Sequence, residues 1–160
     1  MREIPSGKLN RKVVSVWRIG GLIGLALIAL CVIPTVILLS VFVGKAPLWI
    51  LLGGLVLALW VVIYIVMVPA IRYNRWRFEV TEDEVDLYYG VIVRKRIIIP
   101  LVRVQFTDTK QGPVKKAFGI AEVTINTAGG EKTIPGLLDE DADALRDKVA
   151  RLASLAREEV

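Results

Sequence analysis

From Ile19 to Ile71 the chain carries a single side chain of the Lys, Arg, Asp and Glu set, that of Lys45. Lys45 separates two arms, 19–44 and 46–71, of 26 residues each. As a helix each arm reaches about 39 Å at 1.5 Å per residue. A hydrocarbon core about 30 Å thick needs only about 20 apolar residues, which leaves length for tilt. The competing arrangement, a helical pair buried in a water-soluble globule, would leave both runs without a polar face to give to water. We therefore expect a transmembrane hairpin over 19–71, turning at Gly44, Lys45, Ala46 and Pro47, a connector suited to antiparallel helices.

Charge gives the orientation. Residues 1–18, read as a basic tail that becomes interfacial near Val13 to Arg18, carry Arg2, Lys8, Arg11, Lys12 and Arg18 against Glu3, and the second arm leaves through Arg72, Arg75 and Arg77. Lys and Arg near span ends stay on the cytoplasmic side, so both termini are expected there, in a multi-pass protein of the plasma membrane. Trp17, Tyr73 and Trp76 mark one interface and Trp49 the other. A cleaved secretory signal is not expected, because the first apolar run is too long and a second span follows.

The net charge of +5 would suit a nucleic-acid binder, but residues 78–160 hold 12 basic and 15 acidic side chains. The basic excess belongs to the membrane flanks, where anionic headgroups attract it. No nucleic-acid partner is expected. Cys31, alone and inside the first arm, excludes an intrachain disulfide and a thiolate metal site. Gly20 with Gly24, and Gly53 and Gly54 with Ala58, offer small faces for helix packing. Pro34 is expected to kink the first arm, with Thr35 satisfying a freed carbonyl. Neither arm holds an acid or an amide, so transport by this chain alone is not expected.

From Arg75 the pattern changes to period two. Trp76, Phe78 and Val80 alternate with charged residues, then Val85, Leu87 and Tyr89, and Gly90 turns the chain into a strand over Val91 to Ile99 closed by Pro100. Val102 to Thr107 and Ala121 to Thr127 alternate likewise, with a helical turn at Val114 to Phe118 between them. Gly129-Gly130 turns into Lys132 to Ile134. After Pro135 and Gly136 a helical period takes over through Leu138, Ala142, Leu145, Val149, Leu152 and Ala156, with acidic residues in the first turns where the dipole favours them. Five or six short antiparallel strands closed by an amphipathic helix form an α+β domain over 75–160.

These stretches, Val80-Thr81-Glu82-Asp83, Tyr89-Gly90-Val91, Ile99-Pro100-Leu101 with Arg103-Val104-Gln105, Asp108 with Gln111-Gly112-Pro113, Phe118-Gly119, Thr127-Ala128-Gly129-Gly130 and Ile134-Pro135-Gly136, resemble the bacterial PH-domain (YdbS-like) membrane protein family. With the hairpin, the resemblance covers nearly the whole chain. It implies a PH-like fold: a strongly bent antiparallel sheet, usually of seven strands, with a C-terminal capping helix. It supplies no catalytic residue and no cofactor. It implies a hetero-complex with a related, larger membrane protein that holds several such domains.

No histidine is present, so the usual neutral-pH acid-base group is missing. Asp139, Glu140, Asp141 and Asp143 lack the spacing of an oxygen-ligand loop and suit a helix start instead. No enzyme activity, metal or cofactor is expected. Arg94, Lys95 and Arg96 form the densest basic run of the soluble part; Arg94 and Arg96 would share a strand face and, with Lys115, Lys116 and the juxtamembrane Arg72, Arg75 and Arg77, contact lipid phosphates. The plainer explanation is a solvated edge that discourages sheet aggregation. The turn where eukaryotic PH-like domains hold phosphoinositides carries Glu82, Asp83 and Glu84 here, which argues against that specificity. The expected function is a membrane-anchored scaffold at the cytoplasmic face, binding the lipid bilayer through its hairpin and a partner membrane protein, in a homo- or hetero-oligomer, in envelope maintenance or stress response. The alternative is sensing of anionic headgroups.

Overall fold

The computed structural model describes residues 3–43 and 48–158. Two long helices, α1 (Lys12–Val43) and α2 (Leu48–Arg75), precede two three-stranded antiparallel sheets and a closing helix. The expected turn at 44–47 lies outside the described residues.

Trp17–Ala70 form one compact unit. Its helices include stretches of 27 and 24 residues that are long and apolar enough to cross a membrane, with side chains such as Leu30, Leu55 and Leu57 exposed. The helices meet where Gly21 lets Ile65 approach: a Cβ on Gly21 would lie 3.1 Å from Ile65 Cγ1. Gly20, Gly24, Gly53 and Gly54 face open space among the described residues, so these small faces do not form the contact between α1 and α2. Arg18 donates to the Val66 carbonyl at 3.3 Å, Thr35 donates to the Cys31 carbonyl at 2.8 Å, and Pro34 lies inside α1.

The second unit joins residues 1–16 to Ile71–Val160. One sheet runs β1 (Arg77–Val80), β2 (Glu84–Tyr89) and β3 (Lys95–Pro100); the other runs β4 (Val104–Lys110), β5 (Ile120–Thr127) and β6 (Gly130–Leu138). A single 3-10 turn, Leu101–Arg103, links β3 to β4. A short helix α3 (Pro113–Ala117) precedes β5, and α4 (Asp139–Glu158) packs on β4, the 3-10 turn and β5. The core gathers Val85, Leu87, Leu101, Val123, Ile125 and Ile134. Ala142, Val149 and Ala153 bury one stripe of α4, and the two alanines let its backbone come close.

Three boundaries differ from the sequence reading. The strand expected from Val91 begins at Lys95, because β2 and β3 register Tyr89 against Lys95 and leave Gly90 to Arg94 as the turn. Gly90 has φ +134, and a Cβ there would collide with the Val93 carbonyl, so glycine is required. β6 runs through Pro135 and Gly136 instead of stopping before them. Val123 opposes Ile134 and Ala121 opposes Leu137, so two residues of β6 face one of β5, a bulge that accommodates a proline without a ladder bond.

The third difference is the N-terminal segment, expected as a polar tail over 1–18. Gly7 and Phe78 exchange backbone hydrogen bonds of 3.0 and 3.1 Å as an antiparallel bridge on the free edge of β1, and Ser6 Oγ donates to Glu79 Oε1. The Asn10 N–H donates to the Gly136 carbonyl at 2.7 Å, and Asn10 Oδ1 accepts the Lys12 N–H at 3.0 Å, so helix α1 starts seven residues before Ile19. Leu9, Val13 and Val16 are buried. The helical hairpin is thus an insertion between two parts of one folded unit.

Candidate functional site

The basic residues expected at a headgroup site divide into three groups. Arg96, on β3, is held by Asp86 of β2: its Nε lies 3.1 and 3.0 Å from the two carboxylate oxygens, and Nη2 lies 2.5 Å from Oδ2. The same Nη2 donates to the Glu3 carbonyl at 2.8 Å. Hydrogen bonding to Asp86 holds the Arg96 guanidinium above its ordinary pKa, with burial opposing and the Asp86, Glu84 and Tyr88 charges adding. Arg96 therefore ties the N-terminal segment to the sheet. We expect Arg96→Gln to make the peptide bonds around Ser6 and Gly7 accessible to protease while β4–β6 stay protected, measured by limited proteolysis with mass spectrometry.

Lys115 and Lys116 lie on α3, which packs on β5 of the other sheet, and Lys115 is paired with Glu122 at 2.6 Å. They do not join Arg94 and Arg96 on one sheet. Arg94 precedes β3 and so does not share a strand face with Arg96 as expected.

Arg72, Arg75 and Arg94 gather at the β2–β3 turn. Arg75, the last residue of α2, donates to the Val91 carbonyl, and Arg94 reaches the Tyr88 hydroxyl at 3.5 Å. Arg72 lies 5.8 Å from the ring centroid of Trp76, which stacks on Tyr89 at 4.5 Å. Trp76 is 5% exposed, and its indole N–H has no partner among the described residues. Arg77 donates to the Trp76 carbonyl at 2.6 Å.

A second feature draws on cations that the sequence reading did not place at a site. β3 and β4 are the outer strands of their sheets, joined by three residues, and a groove of about 680 Å³ lies at that junction. Ile97 to Pro100, Val102 and Val104 give it an apolar wall; Arg103, Lys132 and Arg157 supply cations, and its lining holds no acidic side chain. None of the three cations has a carboxylate partner among the described residues. Such a groove accommodates an extended acidic segment, whose backbone can use an open strand edge. Alternation identified β3 and β4, but the gap between them depends on how the two sheets part at Leu101–Arg103.

The bacterial PH domain family matches residues 14–153. The chain is 38% identical over 163 aligned residues, all of both chains, to the UPF0699 transmembrane protein YdbS of Bacillus subtilis (strain 168). It is 29% identical over 100 residues to the UPF0699 transmembrane protein YdbT of the same organism, a match that covers 60% of this chain and 20% of that protein. No solved structure matches the chain.

Proposed function

The chain belongs to the bacterial PH domain family, and from that premise we propose that it is a non-enzymatic docking subunit: a two-helix anchor in the cell membrane whose PH-like unit binds a partner membrane protein at the cytoplasmic face. The observation that carries this reading is the groove between the β3 and β4 edges, apolar on one wall and supplied with Arg103, Lys132 and Arg157. Its chemistry suits an extended segment bearing Asp or Glu. A larger membrane protein with several related domains is the favoured partner, a choice supported by the similarity of 60% of this chain to one fifth of YdbT. The cytoplasmic side rests on the basic flanks of the hairpin. That Met1–Val16 and Ile71–Val160 belong to one folded unit supports placing both ends of the hairpin on the same side. A sequence without histidine supports the non-enzymatic reading. Envelope maintenance or stress response is the process such a location suits.

Purification of the full chain in mild detergent, with mass spectrometry of co-purifying membrane proteins, tests the proposal. We expect a related multi-domain membrane protein with the wild type, and roughly tenfold or greater loss of it after R103E, K132E and R157E together, because like-charge contacts at an interface cost several kcal/mol. A lone monomer, or full retention of the partner by the reversed variant, would overturn the reading. Lipid contact is a second reading, favoured by the β2–β3 turn.

A further inference from the structure

The tip of the β2–β3 turn breaks the usual chemistry of turns. Gly90 makes the sharp bend, yet the residues after it are Val91, Ile92 and Val93, where Asn, Asp, Ser or Gly would satisfy water and backbone. Ile92 is 93% exposed and Val93 68% exposed, so neither contributes to the core. Scattered exposed apolar residues are ordinary on any protein surface. Three consecutive β-branched residues at one turn, held in place from below, are a local rule broken without a folding benefit, the pattern expected of a functional site.

The surroundings indicate what covers the tip. Arg75 closes α2, and its guanidinium donates to the Val91 carbonyl, so the turn lies within one side chain of a helix terminus where a membrane-competent stretch ends. Arg94 and Lys95 follow the apolar tip, and neither has a carboxylate partner among the described residues. Residues 87–107 contain no Asp or Glu. Behind the turn, buried Trp76 stacks on Tyr89 with Arg72 over the indole, so the turn rests on a packed aromatic pair with a cation beside it. An apolar tip with a cationic rim beside a span end is complementary to one occupant above others, the boundary between anionic headgroups and acyl chains.

We propose that the Gly90–Arg94 turn is a membrane wedge: Ile92 and Val93 enter the outer acyl region of the leaflet from which α2 emerges, while Arg94, Lys95 and Arg75 engage lipid phosphates. The wedge is independent of the partner-binding groove, which uses other residues. It gives the PH-like unit a second point of attachment to the bilayer. Lys115, Lys116 and Arg96 take no part.

The test uses the full chain with Cys31→Ser, carrying an environment-sensitive fluorophore at Ile92→Cys and, as the control, at Glu140→Cys on the exposed start of α4. The proteins are reconstituted in phosphatidylcholine vesicles with and without phosphatidylglycerol. In the anionic vesicles the label at position 92 is expected to be about fivefold less accessible than the control to a water-soluble nitroxide, and to be quenched by a nitroxide on a lipid acyl chain. Arg94→Gln with Lys95→Gln, or omission of phosphatidylglycerol, is expected to return much of the aqueous accessibility. Equal accessibility at the two positions would overturn the wedge. So would shielding from water without quenching by the labelled lipid, which would show that a second copy or another protein segment covers the turn. Shielding that ignores both the charge substitutions and the lipid charge would remove the arginines and Lys95 from the site.

Discussion

A chain that lacks residues 1–70, with residues 71–160 expressed alone, is expected to lose cooperative folding. Leu9, Val13 and Val16 are buried in the PH-like unit although they precede the hairpin. Burying such side chains stabilises by about 1.5–3 kcal/mol each. Together they approach the whole stability of an ordinary domain, about 5–15 kcal/mol. Their removal also frees the β1 edge at Phe78 and the Gly136 carbonyl, which Gly7 and Asn10 otherwise satisfy. Circular dichroism melts and dye binding should show a non-cooperative, dye-binding state for 71–160. Joining residues 3–16 to 71–160 through a flexible Gly/Ser linker in place of the hairpin should restore a cooperative transition. Equal, cooperative melting of both proteins would show that the N-terminal segment is dispensable.

Gly136→Ala is expected to be the most damaging single-methyl change in β6, where the glycine is buried. The residue has φ +66, a region that costs an ordinary residue about 1–2 kcal/mol. A Cβ there would also lie against Val13, 2.6 Å from its Cγ2, far inside van der Waals contact. Either Val13 leaves its buried position or the bulge distorts, and overpacking of this kind costs about 1–3 kcal/mol more. We expect a loss of roughly 3 kcal/mol, seen as a melting point lowered by on the order of 10 °C for a unit of this size. Gly129→Ala is the matched control: its Cβ would meet only Thr127 Oγ1, at 3.7 Å, and a change within about 0.5 kcal/mol is expected. Indistinguishable melting points for the two variants would refute the docking of Val13 on Gly136.

These two experiments bear on the feature that sequence patterns concealed. Leu9, Val13 and Val16 are spaced four and three apart, as on one helix face, but Asn10, Arg11, Lys12, Ser15 and Arg18 stand among them, so the stretch reads as a basic tail beside the first span. What buries them is supplied by residues more than a hundred positions away, such as Gly136. The turn at 91–93 was concealed differently. Its β-branched residues carry the composition of a strand, and the register of Tyr89 against Lys95 removes them from it. Pro135 and Gly136 look like a break because the bulge that accommodates them belongs to the pairing with β5.

The site shows the same division. Arg94 and Arg96 are two residues apart and look equivalent. Asp86, ten positions earlier, reaches Arg96 across the ladder and engages it, while Arg94 lies in the turn beside the end of α2. Arg103, Lys132 and Arg157 carry no local signal at all, being far apart in the chain and close only around the groove.

The transmembrane character of the protein, the alternation of its strands and the amphipathic closing helix all follow from the order of side chains, because hydropathy and backbone period act over neighbouring residues. Which cations meet a carboxylate and which stay available, where two sheets part to leave an edge, and the joining of segments before and after the hairpin into one folded unit were set by contacts between distant segments. Pairing across a ladder and burial against a remote strand have no signature in a short window of sequence, so they emerge when the chain closes on itself.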